Sequence, residues 1–128
     1  MPFDGNSYVR SEAVARLDHT IHLLAPEERW VKRVLETDDG RRCIMGALRT
    51  ANAERLEPFV CAAINELTGK PLNVAVFNDA RETTYAMVID ALMRARRMIV
   101  EAEAATLEAI LSPAGVPLRM PQSPIMWA

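Results

Sequence analysis

The chain has 128 residues, 50% of them hydrophobic and 25% charged, with a formal net charge of -2. That length makes one domain, and the apolar fraction can build a core, which excludes a wholly disordered chain. The charge balance lacks the basic excess that releases phosphate counterions, and no apolar run nears the ~20 residues that span a bilayer, so neither nucleic acid nor membrane is an expected partner.

Apolar residues are mainly Ala, Leu, Met and Ile, and aromatics are only 5%. That balance favours helix over sheet. The opening M-P-F-D-G-N-S has no basic and apolar leader, and the two cysteines, Cys43 and Cys61, suit a reducing cytoplasm better than a disulfide scaffold.

In chain order, Ser11 is placed to cap a first helix. Val14, Leu17, Ile21 and Leu24 then follow at steps of three and four, up to Pro26. Residues 26–42 admit two readings. Asp39-Gly40 is a turn signal for a short hairpin or irregular arm with Trp30 packed on the helices. Pro26 followed by Glu27 and Glu28 suits a short helix to Leu35, the favoured reading. A helix is expected from Cys43, with Ile44, Ala47, Leu48 and Ala51 on one face and Gly46 allowing close approach. Another starts near Pro58, with Val60, Ala63, Ile64 and Leu67 inward and Gly69 as its left-handed stop. Residues 72–83 read as an extended linker whose Val74, Val76 and Phe77 enter the core. Thr83 or Thr84 caps a long closing helix. Its stripe, Tyr85, Val88, Leu92, Ala95, Ile99 and Ala102, runs on to about Leu111 before Ser112-Pro113.

The expected fold is therefore all-α: a bundle of four to five helices in residues 1–112, with a short hairpin or extended segment and a long C-terminal helix. Residues 113–128 carry four prolines, so they form an extended or disordered tail, whose apolar residues can dock on the domain or on a neighbouring chain.

Trp30, D-D-G-R-R-C-I-M-G-A-L at 38–48, V-F-N-D at 76–79 and T-Y-A-M-V-I-D-A-L at 84–92 together resemble a family of small bacterial proteins without an assigned function. The resemblance spans roughly residues 8–98. Phe77 stands where a Trp is commoner, and the closing helix is longer than usual. It implies a soluble helical bacterial domain and transfers no catalytic residue.

Cys43 follows a turn and opens a helix, where the positive helix end favours a thiolate. A nucleophile there needs a histidine base, His19 or His22, with Asn78 as orienter; the competing reading is a packing cysteine. The two histidines sit three residues apart, too few ligands for zinc, so no metal or cofactor is expected. Asn78-Asp79 reads as a side-chain-capped turn ahead of a helix. The arginines at 41–42 and 94–97 lack interleaved aromatics and read as solvated or ion-paired faces.

Function then divides in two. The favoured reading is a non-enzymatic interaction protein that forms a homodimer, or binds a protein partner, through its long helix and tail. Val100, Ala104, Leu107 and Leu111 make a second apolar stripe beyond the core. Arg96, Arg97 and Glu103 flank it, and an antiparallel crossing near Val100 would set arginines beside glutamates. The alternative is a small cysteine hydrolase.

Overall fold

In a computed structural model, which describes residues 10–111, the chain folds as five α-helices: α1 (Glu12–Leu23), α2 (Ile44–Thr50), α3 (Glu57–Thr68), α4 (Val74–Asp79) and α5 (Tyr85–Leu111). Single 3₁₀ turns stand at Glu27–Arg29 and Glu54–Leu56. The described residues contain no strand, so the all-α expectation agrees with the structure. The tail, 113–128, lies outside the described residues.

Local chemistry sets the helix ends. The Ser11 hydroxyl accepts from the Val14 N–H, and Thr84 Oγ1 accepts from Met87 N–H at the start of α5. Pro58 sits in the first turn of α3, and Gly69 ends that helix at φ 74°, a left-handed conformation that glycine adopts at least cost.

α5 lies mainly along α3 and, to a lesser extent, along α1, while α2 is wedged between α1 and α4. Their shared core holds Leu17, Leu24, Ile44, Leu48, Ile64, Phe77, Leu92 and Ile99, each with almost no exposed surface. Burial of a side chain of this size contributes about 1.5–3 kcal/mol. α5 outruns that core: 27 residues give a helix of about 40 Å, and the last buried position on it is Ile99.

Two elements differ from expectation. Residues 26–42 form neither the favoured helix nor a hairpin. After the 3₁₀ turn the backbone makes only isolated bridges, Trp30 to Arg42 and Glu36 to Arg42. Arg33 takes φ 77°, which breaks any helix, and the arm's polar groups bond outward to α4. Residues 74–79, expected as an extended linker, are the short helix α4. Asn73 caps it by accepting from Val76 N–H at 2.8 Å. The helical turn puts Val74 and Phe77 into the core together and leaves Val76 outside, half exposed.

Candidate functional site

Two places on the molecule hold residues with functional potential: the junction of the arm with α2 and α4, and the projecting end of α5.

The junction centres on Asn78, the fifth residue of α4, which is 1% exposed. Its Oδ1 accepts from the Trp30 indole N–H at 2.8 Å and from the Ile44 backbone N–H at 3.0 Å. Its Nδ2 donates to the Val31 carbonyl at 3.2 Å and to Asp79 Oδ1 at 3.0 Å. Asp79 Oδ1 also accepts from Arg33 N–H at 2.7 Å. The capping expected of Asn78-Asp79 along the chain is thus made across space. Asn78 satisfies one of the orphan N–H groups at the start of α2, and Asp79 pins the arm.

Cys43 is the cap residue of α2, and its sulfur accepts from Gly46 N–H at 3.3 Å. Its own N–H donates to Leu35 O at 3.2 Å. That carbonyl presses on α2 so closely that a Cβ on Gly46 would lie 2.0 Å from its oxygen. Close approach of arm and helix, rather than a special dihedral, is what requires glycine there. Lys32 reaches over the Trp30 ring, 5.5 Å from its centroid, and donates to Ala80 O; on another side Trp30 meets Tyr85 with ring centroids 6.1 Å apart. Burial, then the carboxylates of Glu27 and Glu28, pushes the Tyr85 phenol up, so the ring stays neutral against the indole.

Beside this junction is a cavity of about 150 Å³ lined by residues including Arg33, Leu35, Cys43, Met45, Asn78 and Asp79. It brings Cys43 and Asn78 together. It does not include His19 or His22, which are exposed on α1. Thiol and amide therefore meet without an imidazole, and Asn78 is occupied in holding the arm. Cys61 is a second free thiol, half-buried on α3, pushed up by burial and then by Glu57. Among the described residues no three His, Cys, Asp or Glu side chains are grouped to hold a metal ion, and no helix is long and apolar enough to cross a membrane.

At the other place, the basic cluster of α5 is engaged within the chain. Arg96 Nε donates to Asp18 Oδ1 at 2.8 Å, and Arg10 reaches the same carboxylate. Arg97 and Arg94 both meet Glu66 on α3, at 2.8 and 2.9 Å. The Arg96 guanidinium, then Arg10, holds the Asp18 carboxyl below its ordinary value, against some desolvation; Arg97 and then Arg94 do the same for Glu66. These pairs clamp α5 to α1 and α3.

Past that clamp the helix surface turns apolar. Val100 is half-buried, whereas Leu107, Ile110 and Leu111 are 56, 72 and 68% exposed. Two adjoining faces emerge. One is the expected stripe of Val100, Ala104, Leu107 and Leu111. The other, missed in the sequence, faces a groove of about 400 Å³ whose walls include Ala13, Phe59, Ile99, Glu103, Ile110 and, shared with the stripe, Leu107. Ile99, Glu103, Thr106 and Ile110, at steps of four, three and four, were the available signal. The walls from α1 and α3 required the tertiary packing.

The sequence pattern of a family of unknown function (DUF6197) matches residues 10–98. No curated protein and no solved structure matches the chain. The matched span includes the whole arm junction and ends inside α5, just before Ile99.

Proposed function

This chain belongs to that family of unknown function, which hands it no activity, and from its geometry we propose that it is a non-enzymatic interaction protein that self-associates through the distal half of α5. The observation that carries the proposal is the pair Leu107 and Leu111, more than half exposed on a helix that has left its core at Ile99. Large aliphatic side chains held on a rigid projecting helix lose water-exposed area only by meeting another surface. Val100 and Ala104 continue their stripe toward the core, and Arg96, Arg97 and Glu103 flank it. A second copy offers the same stripe, which suits an isologous contact between two helices. The salt bridges from Arg96 and Arg97 hold α5 rigid on α1 and α3, so the helix is presented already ordered. Sedimentation equilibrium of the full chain at tens of micromolar tests this. The expected result is the mass of two chains, reduced to one chain by Val100→Glu with Leu107→Glu. A one-chain mass for the unaltered protein, or a two-chain mass that survives both substitutions, overturns it.

A further inference from the structure

A third place is at the end of α5 opposite the proposed interface. There a cavity of about 230 Å³ opens between the last turn of α3, α4 and the start of α5. Met87 on its wall stands about 30 Å along α5 from Leu107, so this site works independently of association. We propose that the cavity binds a free aliphatic α-amino acid of the size of leucine or methionine. A buried hydroxyl, a pair of opposite charges and the volume together select that ligand.

The hydroxyl is that of Thr83, one of three buried polar side chains among the described residues and 5% exposed. The other two are satisfied: Thr20 Oγ1 donates to Arg16 O at 2.9 Å, and Asn78 meets its four partners. Thr83 Oγ1 meets no partner among the described residues. Its backbone N–H donates to Ala80 O, and the cap of α5 is made by Thr84 instead. A buried hydroxyl without a partner costs stability, so native interiors rarely keep one. Because Thr83 lines the cavity, a ligand there can supply the missing bond.

The charges are Lys70, just past the end of α3, and Glu82, just ahead of α5. Both line the cavity, and neither forms an ion pair with the other or with any other described residue. Opposite charges that flank one opening from two elements without meeting can bracket a zwitterion. Glu82 and the neighbouring Thr83 hydroxyl accept from its ammonium, and Lys70 donates to its carboxylate. A simple carboxylic acid would be repelled by Glu82, and a simple amine by Lys70.

The rest of the lining is mainly apolar, with Leu67, Leu72, Phe77 and Met87 offering a wall to the ligand's side chain. A cavity of about 150 Å³ holds a benzene ring, which has six non-hydrogen atoms. At the same packing this one holds about nine, the count of leucine, isoleucine or methionine. Phenylalanine exceeds it, and glycine would leave the apolar wall wet.

Isothermal titration calorimetry of the full chain with L-leucine tests the proposal, beside two analogues that each lack one charge, isocaproate and isoamylamine. Leucine should bind with a Kd of about 1 mM or below, and each analogue at least about tenfold more weakly. Glu82→Gln should weaken leucine about tenfold and leave isocaproate no weaker; Lys70→Met should do the same toward isoamylamine. Both side chains are exposed, and thermal melts will show that the variants are folded. Thr83→Val separates binding from structure. Loss of an unpartnered hydroxyl should leave the melt unchanged or higher, while leucine affinity falls about tenfold. No binding of leucine at about 10 mM overturns the proposal. So does isocaproate binding as tightly as leucine, leucine affinity that survives all three substitutions, or a melt lowered by Thr83→Val, which would give the hydroxyl a structural role.

Discussion

Replacing Asn78 with Ala removes four hydrogen bonds from one buried point. The Ile44 N–H, at the start of α2 on a residue with no exposed surface, is left without its partner. An unsatisfied buried N–H costs about 1–3 kcal/mol, and the Trp30 indole and the Val31 carbonyl, both half-buried, lose partners as well. A loss of about 3 kcal/mol is the expected total. In a domain of this size that lowers the melting temperature by about 15 °C. Urea unfolding followed by far-ultraviolet circular dichroism measures it directly, with an unchanged slope confirming that the same surface is exposed. Asn78→Asp is the sharper companion. Its carboxylate can still accept from Trp30 and Ile44, but its second oxygen then faces the Val31 carbonyl and Asp79 Oδ1, both acceptors. Its destabilisation should therefore ease as pH falls and the carboxyl protonates. A loss below about 1 kcal/mol for Asn78→Ala, with no dependence of the Asp variant on pH, would refute the view that this amide fastens the arm.

Gly46→Ala should cost about 3 kcal/mol or prevent folding, because the methyl would overlap the Leu35 carbonyl oxygen and force the arm off α2; a thermal melt within a few degrees of the unaltered protein would contradict this. Cys43→Ser should leave stability nearly unchanged, since a hydroxyl caps Gly46 N–H at least as well as sulfur, whereas Cys43→Ala should lose about 1 kcal/mol in urea titrations. Asp18→Asn should lose about 1 kcal/mol at neutral pH, in keeping with a partly exposed pair. The folded carboxyl titrates below its unfolded value of about 3.9, so that contribution is complete above the unfolded value and disappears as pH falls through the folded one. Melts of both proteins should converge at the acid end; a difference constant down to pH of about 2 would exclude the Arg96 pair as its source.

What could be read from the sequence was local. Ser11 with Val14, Leu17 and Leu24 announces α1, and Pro58, Val60, Ile64 and Gly69 delimit α3, because caps and steps of three and four are set within a few residues. The arm could not be read in this way. Its bonds run from Trp30 to Asn78 and from Arg33 to Asp79, partners 48 and 46 positions away, and leave no periodicity behind. α4 has six residues, too few for a helical period to be distinguished from half-buried extended chain, and only Asn73 ahead of Val74 and Phe77 hinted at it. Cys43 was correctly set at a helix start, yet its surroundings depend on how α1 lies, which decides that no histidine lines the cavity. The α5 arginines were equally legible as a cluster but not as a clamp, since Asp18 and Glu66 arrive from other helices. The residues that carry the family resemblance thus explain one another structurally: Trp30, Gly46, Asn78 and Asp79 hold the arm to the bundle.

The most direct test of the proposed association through α5 is amide hydrogen exchange measured across a range of chain concentrations. In the single chain, amides beyond Ile99 sit on a helix end with little tertiary cover and should exchange quickly by local opening. Association through α5 predicts that exchange over residues 100–111 slows as concentration rises, while residues 31–36, 43–46 and 75–79 around the Cys43 cavity stay as they are. Protection that grows instead at the cavity, with residues 100–111 unaffected at every concentration, would contradict the account.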